Sequence, residues 1–230
     1  MLDRWWVAEW WAADPAMLIS WIVWIIGSVC LHELGHGWAA IRCGDRTPIE
    51  LGHMTWNPLV HMGPISLGVF ALTGITWGLM PVNPARFRGP YDFAKVALAG
   101  PVMNLSLAIT ALLLSGCWIG MAGGYWFNGV SVSATLYGNV QTFFWVGVAV
   151  NLFGAAFNLL PIPPLDGSTI ARTLSPAYRE LVSREQAPLF SAIAFAVVFV
   201  WGSQHIYDAV FGTATAVVDY VATAMTGRTR

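Results

Sequence analysis

The sequence predicts an all-α polytopic membrane protein, with about five to six transmembrane helices and a re-entrant or β-hairpin-like element after the first core helix. Two observations predict this class. Of the 230 residues, 57% are hydrophobic and only 10% are charged, whereas soluble domains carry about 25% charged residues. Apolar runs of bilayer length also recur along the chain. The net charge of -1 gives no basic field for nucleic acid, so we expect no nucleic-acid partner.

The N-terminal segment, residues 1–16, is rich in tryptophan. Trp5, Trp6, Trp10 and Trp11 suit a segment that lies at the lipid headgroups. A cleaved signal peptide needs a basic start, but three acidic residues here outweigh a single arginine. We therefore expect an interfacial segment that is retained.

Three clear spans follow the N-terminal segment. The first runs over residues 17–40, the second over 93–119 and the third over 137–160, where Pro161 ends it. Residues 187–224 have room for two shorter helices, broken near the sequence GSQHIYD. The three cysteines are too few and too scattered for a disulfide framework or a CxxC zinc site.

The basic residues orient these spans. They flank the spans in short clusters, at Arg42, Arg46, Arg86, Arg88, Lys95, Arg172, Arg179, Arg184, Arg228 and Arg230. Basic loops face the cytoplasm. All the clusters fall on one side only if residues 62–80 cross the bilayer an even number of times. Glycines recur in that piece, so we expect it to be a re-entrant or hairpin element.

The sequence HELGH, residues 32–36, directly follows the apolar run of the first span. His32 and His36 are four residues apart, so on a helix both project from one face and can reach a single metal ion. Glu33 lies beside them, where it can serve as the general base toward a water molecule at the metal. The alternative is two histidines satisfied by packing and a surface glutamate. That alternative is weak within a membrane, where ionisable groups are costly and usually functional.

A catalytic zinc ion takes three protein ligands and leaves a position open, so a third ligand is needed. The strongest candidate is Asp166, which ends the segment FNLLPIPPLD of residues 157–166. The prolines force extended backbone after the third span, and Gly167 permits a sharp turn that aims Asp166 inward. The alternative is an exposed aspartate that caps the next helix. With HELGH present, we favour one zinc ion held by His32, His36 and Asp166.

Two further residues are candidates for substrate binding. Asn158 lies at the second motif, where it can hold a substrate backbone or a developing oxyanion; the alternative is a hydrogen bond in helix packing. His61 falls in the re-entrant piece and can line the site. We expect His53 and His205 at the interface or in packing, and a packing role for Asn104.

From about Leu31 to Ala171 the sequence resembles the site-2 protease family of intramembrane zinc metalloproteases. HELGH resembles the zinc-binding motif of the family, and FNLLPIPPLDG is similar to its second signature. Between them, similar landmarks occur in the same order, namely GDRT (44–47), WNPLVH (56–61), PVNP (81–84) and AGPVMN (99–104). The sequence departs from the family at Gly63, where relatives commonly have an aspartate. We expect a compact member without a PDZ-like or other added domain.

The resemblance implies an intramembrane zinc metalloendopeptidase of the HExxH type. It would hydrolyse peptide bonds within or next to transmembrane segments of membrane-protein substrates, as in regulated intramembrane proteolysis. It also implies that Asp166 is the third ligand and that Asn158 faces the substrate. The whole chain is expected to form one integral-membrane domain, with the interfacial segment at 1–16, a catalytic core at 17–171 and C-terminal helices at 187–226.

We expect this domain in a prokaryotic cytoplasmic membrane, with the active site nearer the cytoplasmic face. Its expected partners are the lipid bilayer and a membrane-spanning substrate, and a second copy of the chain or a regulatory membrane protein stays open. Two other functions are compatible with buried polar residues. An ion or metal transporter would need polar groups through the full bilayer depth, and a non-cleaving zinc-bound scaffold would be expected to lack Glu33.

Overall fold

The computed structural model describes residues 5–122 and 132–226, and these ranges contain helices and loops but no β-strand. The all-α class is therefore confirmed. The helices in chain order are α1 (Trp6–Ala13), α2 (Pro15–Arg42), α3 (Thr47–Glu50), α4 (Pro58–His61), α5 (Gly63–Thr73), α6 (Asp92–Ala122), α7 (Ala134–Asn158), α8 (Asp166–Leu174), α9 (Pro176–Val182), α10 (Ala187–Val197) and α11 (Ser203–Thr226). A 3₁₀ turn, Pro84–Arg86, precedes α6, and a π-helical turn, Val198–Gly202, joins α10 to α11.

Three of the described helices are long and apolar enough to cross a membrane. They are α2, α6 and α7, and their bounds agree with the predicted spans to within three residues. A fourth span is added if α9 and α10, which meet at a bend of 97°, count together. The described chain thus has three or four spans instead of five or six. Although α11 has 24 residues, Asp208 and Asp219 lower its hydropathy.

Local sequence sets where the long helices begin. Asp14 accepts a hydrogen bond from the Met17 N–H at 3.0 Å, and Pro15 takes the first position of α2, where no N–H is needed. Ser133 caps α7 in the same way by accepting from the Leu136 N–H at 3.2 Å. The loop before α7 lies partly outside the described residues.

The core lies where α2, α6, α7 and α11 pack together. Small residues on α6 and α7 meet Phe211 and Val218 of α11, around Ala111, Val148, Ala149 and Ala214. Gly147 lets α7 approach α2 so closely that an added Cβ would overlap the Trp24 ring. The Trp24 indole N–H donates to the carbonyl of Phe143 at 2.7 Å. Gly147 thus has the close-packing role expected of a small residue between membrane helices.

Residues 62–80 form a re-entrant element. Helix α5 is followed by residues 75–83, a segment without regular structure that we call the strap. The strap returns to the C-terminal end of α2, where the Asn83 N–H donates to Asp45 at 2.6 Å and the Arg88 N–H donates to the Cys43 carbonyl at 3.2 Å. The piece therefore leaves and rejoins the same end of α2, as an even number of crossings requires. Within the described residues it is a helix with an irregular return, and not a β-hairpin.

Helix α1 packs beside α5. The indole N–H groups of Trp5 and Trp6 both donate to the carbonyl of Ala71, at 2.7 and 3.2 Å, and the ring of Trp6 contacts Phe70. The N-terminal tryptophans therefore contact the end of the re-entrant helix. Their location at the lipid headgroups stays a prediction, and residues 1–4 lie outside the described residues.

Candidate metal centre

The structure brings the three predicted ligands together. His32 and His36 lie one turn apart on α2, and Asp166 is the first residue of α8. The Nε2 atoms of the two histidines are 3.0 Å apart. Asp166 Oδ2 lies 3.2 Å from His32 Nε2 and 3.3 Å from His36 Nε2. The three atoms thus form a nearly equilateral triangle.

The loop between α7 and α8 delivers Asp166 to this triangle. Its prolines stop α7, and Leu165 has the extended backbone that precedes α8. Gly167 contributes differently from the sharp turn predicted for it. It lies within α8 without a positive φ, and an added Cβ would overlap the Leu159 carbonyl. Gly167 is therefore required for close packing of α8 against the end of α7.

Hydrogen bonds at the other ring nitrogen fix the tautomer of each histidine. His36 Nδ1 lies 2.7 Å from the backbone carbonyl of Val96, and His32 Nδ1 lies 2.5 Å from Asn104 Oδ1. Because these oxygens only accept, both Nδ1 atoms carry the proton. Each neutral ring therefore presents the lone pair of its Nε2 to the triangle, which is the arrangement typical of metal-bound histidine.

The orientation of the Asn104 amide is set by a chain of hydrogen bonds. Asn104 Nδ2 donates to Asn151 Oδ1 at 3.0 Å, and Asn151 Nδ2 donates to the carbonyl of Gly147 at 2.9 Å. Since a backbone carbonyl cannot donate, it fixes the direction of both amides. Asn104 must therefore present its oxygen to His32. Asn151 is fully buried, and Asn104 is nearly so.

The three converging atoms fit a zinc ion. In neutral rings with the proton on Nδ1 both Nε2 atoms are acceptors, like the carboxylate oxygen Asp166 Oδ2, which is buried without a hydrogen-bond partner. Lone pairs at such short separations repel one another unless a cation lies between them. In a tetrahedral zinc site with bonds of 2.0–2.1 Å, ligand atoms lie about 3.3 Å apart. The separations of 3.0–3.3 Å match that value.

A glycine on α6 makes room for the two rings. A Cβ added to Gly100 would lie 2.5 Å from the Nε2 atoms of both His32 and His36. Gly35 likewise lets α2 approach α6, because its added Cβ would be 2.9 Å from the Ala99 carbonyl. Any larger residue at position 100 would occupy the space that the metal and its ligands need.

Glu33 lies beside the three ligands but does not join them. It is 7% exposed, and the group of residues able to hold one metal ion consists of His32, His36 and Asp166. Its carboxyl group lies against Gly78 of the strap, where an added Cβ would overlap Glu33 Oε1. Glu33 is thus not one of the three converging ligand candidates.

The two residues predicted for substrate binding lie outside the triangle. Asn158, at the end of α7, donates from Nδ2 to the Gly154 carbonyl of its own helix at 3.0 Å. His61 is 2% exposed, and its Nε2 donates to the Thr55 carbonyl at 2.7 Å, while Nδ1 has no partner. His205 is exposed on α11.

Sequence reasoning missed the role of Asn104 and Asn151. We expected packing for Asn104, whereas its side chain directly contacts His32, a predicted metal ligand. One signal was available: both asparagines are polar residues within otherwise apolar spans, and such residues are usually functional. The signal does not indicate which histidine the asparagines contact.

Asp45 anchors the strap at the end of α2. It is fully buried, and it accepts hydrogen bonds from the Thr47 N–H and hydroxyl, at 2.9 and 2.5 Å, besides the one from Asn83. Burial by itself would raise the pKa of Asp45. The hydrogen bonds from Asn83 and Thr47, with a smaller contribution from Arg86, outweigh burial and hold that pKa below its ordinary value. Asp45 is thus a carboxylate at neutral pH.

Comparison with known proteins supports the same assignment. The model of peptidase family M50 matches residues 20–201. A relative in Bacillus subtilis (strain 168), named "Putative zinc metalloprotease YwhC", is 34% identical over 182 residues, which cover 78% of this chain and 79% of that protein. One in Mycobacterium tuberculosis (strain H37Rv), named "Putative zinc metalloprotease Rip2", is 33% identical over 194 residues, covering 80% and 64% respectively.

A more distant relative is found in an archaeon. The protein named "Putative zinc metalloprotease MJ0611" of Methanocaldococcus jannaschii is 28% identical over 144 residues, which cover 61% of this chain and 63% of that protein. No solved structure matches the chain. The family match covers most of the chain, including most of α2 and all of α6 and α7. The chain is therefore a multi-pass membrane protein that belongs to peptidase family M50, the site-2 protease family.

Proposed function

We propose that this chain is an intramembrane zinc metalloprotease that hydrolyses peptide bonds within or next to transmembrane segments of membrane proteins. One observation carries the proposal. Two imidazole nitrogens and one carboxylate oxygen converge 3.0–3.3 Å apart, and Glu33 lies beside them on α2, which is long and apolar enough to span a membrane. The printed names of the relatives, which include the words zinc metalloprotease, support the choice of metal.

His32, His36 and Asp166 would hold the zinc ion. When bound, zinc supplies a Lewis acid that polarises a peptide carbonyl and makes water easier to deprotonate. Glu33 takes the proton of the attacking water and passes it to the amine that leaves. Asn104 and the Val96 carbonyl keep the two imidazole rings in the orientation and tautomer that this site requires.

The location of the site limits what the substrate can be. A helix within the bilayer hides its carbonyls in its own hydrogen bonds, so a transmembrane substrate must unwind locally before Glu33 and the metal can act on it. The strap lies beside Glu33 without regular structure, and an unwound substrate can pair with its backbone as with an exposed edge. Asn158 remains a proposed substrate contact. The His61 side chain is buried and bonded to the Thr55 carbonyl, and its backbone carbonyl accepts from the Leu79 N–H of the strap at 2.9 Å.

We further propose that the site lies nearer the cytoplasmic face of a prokaryotic cell membrane. HELGH lies in the second half of α2, and the arginines at positions 42 and 46 follow it. Short basic loops mark the cytoplasmic side. Water can reach the metal from that side more easily than through the bilayer core.

A cleavage assay with Glu33→Gln tests this function. Membrane fractions containing the wild type or the variant are incubated with a membrane-anchored substrate, and product masses are determined. We expect the variant to lose cleavage and to keep its zinc, because the ligands are unchanged. Glu180→Gln is the matched control, since Glu180 is an exposed residue on α9. Undiminished cleavage by Glu33→Gln would refute the role of Glu33 as the base.

A further inference from the structure

The strap lies along the catalytic side of α2. Gly78 contacts the Glu33 carboxyl group, and the Met80 thioether packs against Gly37, 3.0–3.2 Å from where a Cβ would be. Glu33 and Gly37 are one helical turn apart, about 6 Å along the axis. Gly78 and Met80 are two residues apart, about 6.6 Å in extended backbone. The two spacings match, so the strap runs beside α2 in the same direction.

This arrangement covers the proposed general base. Glu33 is 7% exposed, whereas Ile75, Trp77 and Leu79 point outward and are 42%, 50% and 65% exposed. The outward side chains alternate with Gly78 and its inward neighbours, as in an extended segment with one covered face. A base that acts on an external peptide must be reachable. The covered state of Glu33 is thus incompatible with substrate binding.

One hydroxyl group holds the first part of the strap. Ser66 Oγ donates to the Trp77 carbonyl at 2.7 Å and lies 3.0 Å from the Trp77 N–H and 2.9 Å from Thr76 Oγ1. A hydroxyl has one proton and two lone pairs, so the three contacts use its whole capacity. Ser66 is fully buried. Its side chain therefore satisfies both backbone polar groups of Trp77, the N–H and the carbonyl.

The two ends of the strap are held with different strength. At its far end Asn83 bonds to the buried carboxylate of Asp45, and hydrogen bonds to charged groups are roughly twice as strong as neutral ones. Nearer its start the strap is held by neutral groups, namely the Ser66 hydroxyl and, beside Gly78, a hydrogen bond from the Leu79 N–H to the His61 carbonyl at 2.9 Å. Gly74, directly before the strap, has φ +77°, a conformation that suits a glycine hinge. The near end is thus the one that can open.

We propose that Ser66 is a positioning residue that latches the strap over Glu33, and that the strap must leave Ser66 before a substrate can enter. This inference rests on the proposed function, because it concerns access to the same base. Opening at Ser66, with loss of the neutral hydrogen bond from Leu79 to the His61 carbonyl, lifts Gly78 from Glu33 while Asp45 keeps the strap tethered. The polar groups of Trp77 that Ser66 releases then become available to an incoming peptide.

A reversible cross-link tests the latch. In the double variant Ser66→Cys with Thr76→Cys, the two thiols replace oxygens that are 2.9 Å apart, so mild oxidation should join them. The cross-linked protein should cleave a membrane-anchored substrate at least tenfold more slowly than the same protein after reduction. The wild type, which has three free cysteines, passes through the same oxidation and reduction as the control. Cross-linking is verified by intact mass.

A second measurement does not depend on activity. The variant Glu33→Cys is labelled in membranes with a water-soluble thiol reagent, both alone and combined with Ser66→Ala. The wild-type chain is labelled in parallel to give the background from its native cysteines. Removing the latch should raise the labelling rate about tenfold, the equivalent of one or two net hydrogen bonds. An equal labelling rate in the two variants would contradict the proposal that Ser66 holds the strap over position 33.

The outcomes separate the latch from the function. If the wild type cleaves substrate and the cross-linked variant cleaves equally fast, the latch is wrong and the proposed function stands. If the wild type cleaves nothing, the proposed function fails, and the labelling rates still decide whether Ser66 controls access to position 33. Failure of the two thiols to cross-link would contradict the contact between Ser66 and the strap.

Discussion

Replacement of Asn104 by leucine should weaken zinc binding without touching a ligand. The variant keeps a side chain of similar size but removes the acceptor that lies 2.5 Å from His32 Nδ1. The buried N–H of His32 then has no partner, which costs about 1–3 kcal/mol. That energy corresponds to about a 5- to 150-fold loss of affinity, in agreement with the 10- to 100-fold loss typical of residues that orient metal ligands.

The assay is competition for zinc between the purified protein and a chelator of known affinity. Asn104→Asp is the matched control, because it keeps an acceptor for His32 while it loses the hydrogen bond to Asn151 and adds a carboxylate. It should retain more zinc affinity than Asn104→Leu. If Asn104→Leu binds zinc within a factor of two of the wild type, the argument that Asn104 fixes the His32 tautomer is refuted.

Three further predictions concern the ligands, the helix contact and the strap anchor. Asp166→Ala should lose the bound metal, and unchanged zinc content by elemental analysis would contradict its role as a ligand. Gly100→Ala should lower zinc affinity about tenfold or more, because its Cβ would lie 2.5 Å from both Nε2 atoms, whereas Gly212→Ala, with no atom within 4 Å, should leave affinity unchanged. Asp45→Asn should destabilise the protein by about 1–3 kcal/mol at neutral pH, measured by thermal unfolding in detergent. Because the pKa of Asp45 is lowered in the folded state, this stabilisation is fully present above the unfolded pKa of about 3.9 and lost as pH falls through the folded pKa. The difference between the two proteins should therefore shrink below about pH 4, and a constant difference would contradict the assignment.

The sequence predicts the elements whose signals are local. Hydropathy places α2, α6 and α7 because a span needs a continuous apolar run. The spacing of His32 and His36 needs only a helix to become a pair of ligands. The distribution of arginines and lysine predicts that residues 62–80 turn back, and the contact of Asp45 with Asn83 has the geometry that this prediction requires.

Contacts between distant residues escaped prediction. Asn104 is 72 residues from His32 and 47 from Asn151, and no spacing rule joins helices that far apart in sequence. Residues 62–80 were expected to form a re-entrant or hairpin element, because their glycines and threonines suit irregular backbone. Its actual course depends on the fit of Gly78 against Glu33. Asp166 was identified through its neighbouring prolines, but its distance from each histidine required the structure.

The most direct test of an intramembrane protease is the position of the cut. Wild-type protein, loaded with zinc, is incubated with a substrate that has one transmembrane helix and soluble flanks, and the product masses locate the cleaved bond. We expect cleavage within the helix or close to its end, with no product from Glu33→Gln. Cleavage confined to a soluble flank, or the same products from Glu33→Gln, would contradict it.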